Sequence, residues 1–144
     1  MRCIDINVLV YAHRTELPDS DAYSAWIEES RVARELLAVP SLVVSGFVRL
    51  VTNRRIFPDP TPMSMAWDLV HKLRESDSVE ILEPGPRHLA LFEELCVHAN
   101  ATGNLVTDAY IAAMAVERGA TLYSADRDFA RFDGLRWKHP LNDQ

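Results

Sequence analysis

The chain has 144 residues, a formal net charge of −6 at pH 7 and 48% hydrophobic residues. That length predicts one domain, 1–144, burying roughly two-thirds of the surface its unfolded chain exposes. The acidic balance argues against nucleic-acid binding through a broad basic face and suits a basic protein partner, and no apolar run approaches the ~20 residues of a membrane span.

Arg2 is the only charge before Cys3, and polar residues soon interrupt the first apolar run, so no signal peptide is expected. Cys3 and Cys96 lie in apolar surroundings and read as reduced, buried thiols. Both points lead to the expectation of a cytoplasmic protein. Met1–Asp5 reads as the first strand, and Val8–Ala12 begin a helix after the turn Asp5-Ile6-Asn7. A loop holding Pro18 follows. Ser20 or Asp21 then starts a helix to about Ser30, with Ala22, Trp26 and Ile27 inward. Glu35–Val39 is a second strand ended by Pro40. Ser41 is expected to cap a helix from Leu42 to about Thr52, apolar nearly all round and so buried. Gly46 sits inside it, at a cost of about 1 kcal/mol relative to alanine, with no packing reason visible in the sequence.

Asn53-Arg54-Arg55 ends that helix, and a proline-rich loop runs to Pro62. Thr61 and Pro62 are a good helix start. Ala66, Leu69, Val70 and Leu73 form an amphipathic stripe; Trp67 lies off it, either packed or an anchor for a partner helix. Val79–Leu82 is a third strand. His88–Ala99 is a helix with Leu89, Phe92, Cys96 and Ala99 on one face, and Asn100–Asn104 is a polar loop.

The stretch Gly103–Phe129 carries most of the chemistry. Asp108 is expected to open an apolar helix with Ile111, Met114, Ala115 and Arg118 at helical spacing. Ala109, Ala112 and Ala113 permit close approach to a sheet, and Gly119 closes the helix. Ala120–Ser124 is a buried strand delivering Asp126 and Asp128 just past its end. Gly134–Lys138 is a candidate last strand and Pro140–Gln144 a tail. Strands alternating with helices predict an α/β fold whose parallel sheet is covered on both faces.

Asp5, Asp108 and Asp126 should meet on one edge of that sheet, with Asp128 near. Taken singly, each acid has an ordinary reading as a helix cap, an N-terminal helix acid or a solvated turn. Together, carboxylates that close repel one another, and a bound cation relieves the repulsion. Hard oxygen donors suit Mg²⁺ or Mn²⁺, so the set reads as a divalent-metal site for phosphodiester hydrolysis. No pair among His13, His71, His88, His98 and His139 has zinc-site spacing with cysteines, and no nucleophile elbow or phosphate-binding glycine loop is present. A phosphoryl-transfer domain with a nucleophilic aspartate needs a lysine at a strand end; Lys72 and Lys138 are the only lysines, and neither is expected on the active edge.

Four blocks resemble the PIN-domain ribonuclease toxins of VapC type: I-D-I-N-V-L-V-Y-A (4–12), S-G-F-V-R-L-V-T-N (45–53), G-N-L-V-T-D-A-Y-I-A-A-M-A (103–115) and T-L-Y-S-A-D-R-D-F (121–129). The resemblance implies a three-layer α/β/α sandwich around a parallel sheet. It also implies Mg²⁺- or Mn²⁺-dependent endoribonuclease activity within a type II toxin–antitoxin pair. The cognate VapB-type antitoxin would lay its C-terminal segment in a groove, and the family commonly dimerises, so a homodimer or a hetero-oligomer with antitoxin is implied. Asp5, Asp108 and Asp126 match the family acids, with Asp128 close by, and Asn7 and Ser124 match supporting polar residues. Arg49, Arg54 and Arg55 are candidates to guide the RNA backbone, or simply a solvated helix end. One departure stands out: the family usually has glutamate where this chain has Gly46. That leaves a second expectation, a catalytically weakened module that binds antitoxin or RNA without efficient cleavage.

Overall fold

The computed structural model describes residues 1–142; the end of the expected tail, residues 143 and 144, lies outside the described residues. Five strands, β1 Arg2–Ile4, β2 Leu37–Pro40, β3 Val79–Leu82, β4 Thr121–Tyr123 and β5 Trp137–Lys138, form one sheet in the order β3-β2-β1-β4-β5. Every pairing is parallel. The six α-helices are α1 Ile6–His13, α2 Ser20–Val32, α3 Ser41–Val51, α4 Met63–Arg74, α5 His88–Ala99 and α6 Asn104–Glu117. They flank the sheet in a three-layer α/β/α arrangement. Helix α1 packs on α2 and α3, α3 on α4, and α5 on α6.

The central strands are short and apolar because they are covered on both faces: Cys3, Ile4, Leu37, Ala38, Val39 and Leu122 are all fully buried. Arg2, at the start of β1, bonds to Glu35 and Ser30 and lies over the Trp26 and Tyr123 rings. Ala109, Ala112, Ala113 and Ala115 of α6 have no exposed surface, so this helix lies close against its neighbours, as its small residues predict.

Several local expectations are corrected. Helix α6 begins at Asn104, one turn before Asp108, after Gly103 takes a positive φ of 57°. Ser41 does not cap α3: Pro40 occupies the N-cap position, and the Ser41 hydroxyl donates instead to Glu83 Oε2 at 2.8 Å. In α2 the inward residues are Tyr23, Trp26 and Ile27, whereas Ala22 is exposed. In α5, Leu95 and His88 are buried and Leu89 is 74% exposed. Arg118 is exposed at the end of α6 and pairs with Glu80.

The strand order matters for function. The chain steps from β1 outward to β2 and β3, then returns to β4 on the other side of β1. At such a reversal the two following segments diverge above the carboxyl ends of the strands and leave a crevice, the usual ligand position in an open parallel sheet.

Candidate active site

That crevice lies between β1 and β4, and the expected acids border it. Asp5 follows β1 and caps α1, its Oδ1 accepting from the Ile6 N–H at 2.7 Å. Asp126 follows β4 and caps the 3-10 turn Arg127–Arg131, its Oδ1 accepting from the Asp128 N–H at 2.9 Å. Capping and site geometry thus coincide: the bonds that start each helical segment also aim the carboxylates.

Ser124, fully buried, ties the two together. Its hydroxyl donates to Asp5 Oδ2 at 2.8 Å and accepts from the Asp126 N–H at 3.0 Å. The Asn7 amide donates to Asp5 Oδ2 and to Ser124 Oγ, each at 3.0 Å, and its carbonyl oxygen accepts from the Ala125 N–H at 3.2 Å. One donor and two acceptor positions use the full capacity of a hydroxyl. The Trp137 indole donates to the Ser124 carbonyl at 3.1 Å and so fixes the strand end; nothing in the sequence around Trp137 marks that role.

The electrostatics bring Asp108 into the same cluster. Its carboxyl is pushed up to about 7, first by burial and then by the charges of Asp5, Asp126 and Asp128. Asp5 is also raised, mainly by burial; the Ser124 and Ile6 bonds oppose the rise, and Asp126 adds to it. The Cys3 thiol beneath is pushed up to about 12 by burial and by Asp5, which leaves it a protonated and inert packing group. The salt bridge of Asp128 with Arg131, at 3.7 Å, is on the solvent side. Burial is the first cause of the upward shift of Asp108, and the like charges of its neighbours add to it.

Among the described residues no three His, Cys, Asp or Glu side chains are already drawn together tightly enough to hold a metal ion. The aspartates nevertheless fit a hard divalent cation: their side-chain donors are all carboxylate oxygens, and the acids repel one another.

The expected arginines do not join the acids. Arg49, Arg54 and Arg55 are exposed on the last turn of α3 and the turn after it. Lys138 corrects the opposite expectation. It ends β5 on the same edge of the sheet, and its carbonyl accepts from the Ser124 N–H at 3.2 Å. A groove of about 750 Å³ lies away from the acids, between α3 and α4, with Val44, Val48, Met63, Trp67 and Ile81 along it and Arg49 at its side.

Gly46 gains the packing reason that the sequence lacked. A Cβ there would lie 2.4 Å from Ile6 Cδ1 and 2.9 Å from Ile6 Cγ1. Ile6, between Asp5 and Asn7, occupies the space that a residue 46 side chain would enter.

Residues 2–135 match the family model of the PIN domain. Ribonuclease VapC43 of Mycobacterium tuberculosis (strain H37Rv) is 46% identical over 144 residues, covering 100% of this chain and 98% of its own. Ribonuclease VapC25 of the same strain is 41% identical over 97% of this chain and 99% of its own. The crystal structure of VapBC2 from Rickettsia felis bound to a promoter DNA fragment superposes with a TM-score of 0.71 at 20% identity, covering 96% of this chain and 97% of that one.

Proposed function

The chain belongs to the PIN-domain family, and from that membership we propose that it is the toxin of a type II toxin–antitoxin pair and cuts RNA by metal-assisted hydrolysis. The observation that carries the proposal is the convergence of Asp5, Ser124 and Asp126 at the β1–β4 crevice, with Asp108 electrically coupled to them. The relatives named ribonucleases, VapC43 and VapC25, support the choice of RNA.

Asp5, Asp108 and Asp126, with Asp128 beside them, would hold Mg²⁺ or Mn²⁺. A cation held there would supply Lewis-acid chemistry, a water of lowered pKa and a polarised phosphoryl oxygen. The rest belongs to the chain. Ser124 and Asn7 saturate one side of Asp5 Oδ2 and hold its carboxylate in a single orientation. Burial and the neighbouring acids lift the Asp108 carboxyl to about 7, and a cation there would stabilise its charged form. Asp126 is held by its own backbone cap. Arg49, Arg54 and Arg55 are exposed and would be free to contact an RNA backbone. The products of such hydrolysis carry 3′-hydroxyl and 5′-phosphate ends.

The cognate VapB-type antitoxin is the expected protein partner, supported by the likeness to VapBC2. We assign it the apolar groove between α3 and α4, where Trp67 is 42% exposed. Such a groove accepts the apolar face of a helix. Assembly is as a homodimer or as a hetero-oligomer with antitoxin, in the cytoplasm. Among the described residues no helix is long and apolar enough to cross a membrane.

The test is incubation of purified protein with RNA and Mg²⁺ or Mn²⁺. Wild type is expected to cut, and Asp108→Asn to lose the activity. Equal cleavage by the two proteins would remove the acids from the mechanism. The bare Gly46 position favours a second reading, a module that binds without cutting. Calorimetry with Mn²⁺ separates the two: no metal binding together with tight antitoxin binding selects the second.

A further inference from the structure

We propose that Ile6, seated in the notch that Gly46 leaves in α3, is a positioning residue for the Asp5 carboxylate. The inference deepens the nuclease reading and rests on it only for its kinetic arm. Ile6 is the first residue of α1, and its amide is the donor that Asp5 Oδ1 accepts at 2.7 Å. Whatever fixes the Ile6 backbone therefore fixes the orientation of the acid. Hydrogen bonding on the other carboxylate oxygen, from Ser124 and Asn7, sets the second half of that orientation.

What fixes Ile6 is an apolar contact with bare backbone. Gly46 is buried in the middle of α3, and a Cβ built there meets three Ile6 side-chain carbons, at 2.4, 2.9 and 3.6 Å. Carbon atoms in ordinary contact stand about 3.5–4.0 Å apart. Ile6 thus fills the hollow that the glycine provides, and any larger residue at 46 must push the Ile6 side chain aside. Gly46 has an ordinary helical backbone, so conformational freedom does not explain the glycine; close approach does. One consequence is that a side chain reintroduced at 46 cannot reach the acid cluster while Ile6 keeps its place.

The variants are Gly46→Ala, Ile6→Ala, the double variant Ile6→Ala/Gly46→Ala, and Val51→Ala as a buried α3 control away from the turn. The first readout is the Ile6 amide in a nitrogen–proton correlation spectrum, together with its hydrogen-exchange protection; it needs no activity. The second is the kcat and KM for RNA cleavage with Mn²⁺. Gly46→Ala is expected to shift the Ile6 amide, lower its protection and reduce kcat about 10- to 100-fold, as a misplaced catalytic group does, with KM nearly unchanged. The double variant, which removes the clashing carbons, is expected to recover part of the kcat lost in Gly46→Ala. Val51→Ala should lower the thermal midpoint while leaving the Ile6 amide and kcat in place. The proposal is overturned if Gly46→Ala leaves the amide and kcat unchanged, or if Val51→Ala reduces kcat as much as Gly46→Ala does. If wild type cuts no RNA, the nuclease reading fails, and the amide arm still decides whether Ile6 seats on Gly46 to hold Asp5.

Discussion

Replacing Asp108 with asparagine should stabilise the metal-free protein, the reverse of what most substitutions do. The carboxyl of Asp108 moves from 3.8 to about 7 because it is partly buried among Asp5, Asp126 and Asp128. A folded-state value above the unfolded one means that the native protein binds the proton more tightly. Stability is then complete below about 3.8 and is lost as pH rises toward 7. At full strength the gap corresponds to about 4 kcal/mol; Asp108 is half in solvent, and screening reduces the effect to about 1–2 kcal/mol. Asparagine is close in shape and carries no charge. In EDTA at pH 8, Asp108→Asn should melt about 3–8 °C above wild type, and the difference should shrink at pH 5. Added Mn²⁺ should reverse the order, because only wild type gains the binding energy of the cation. Thermal melts at the two pH values, with and without Mn²⁺, are the assay. Equal midpoints in EDTA at pH 8, or a gain as large at pH 5, would refute the claim that the acids repel one another in the native state.

Ser124→Ala leaves the Asp126 N–H and the Asn7 amide short of a buried partner and should cost about 1–3 kcal/mol in urea unfolding, with cleavage reduced. Arg14→Ala should free the segment 53–62, since the Arg14 guanidinium donates to the Asp59 carbonyl and the Thr61 hydroxyl and lies 4.3 Å over the Phe57 ring; trypsin should then cut at Arg54 and Arg55 several times faster than in wild type. Trp67→Ala should weaken antitoxin binding by about 2 kcal/mol, as loss of an aromatic anchor does, and leave RNA cleavage by the free protein intact; titration calorimetry and a cleavage assay separate the two effects.

Much of this architecture is legible in the residues because local preference and global need agree. Asp5 and Asp126 each follow a strand and cap the next helical segment, so the same short patterns, D-x-N and S-A-D, mark both the turn and the acid. The apolar runs of β1, β2 and β4 are near-continuous, as strands covered on both faces must be. The errors arise where two residues compete for one role. Asp108 looks like a helix start, but the positive φ of Gly103 lets the helix begin at Asn104, four residues early. Pro40 takes the cap position that Ser41 could fill, and the freed hydroxyl turns to Glu83. The partnership of Ile6 with Gly46 left no trace in spacing, since it joins residues 40 positions apart through shape alone. Lys138 was misplaced because a two-residue strand carries too little pattern to show which edge its end reaches.

The bond from Ser124 to Asp5 spans 119 positions, and this sets an order of events during synthesis. A growing chain offers its first acid almost at once, then waits for α6, β4 and the turn beyond before any companion arrives. Domains form as units while the ribosome extends them, so an unfinished polypeptide here has no assembled cluster, however well its early helices have folded. On the proposed reading, competence to cut therefore arrives only with the closing stretch of translation.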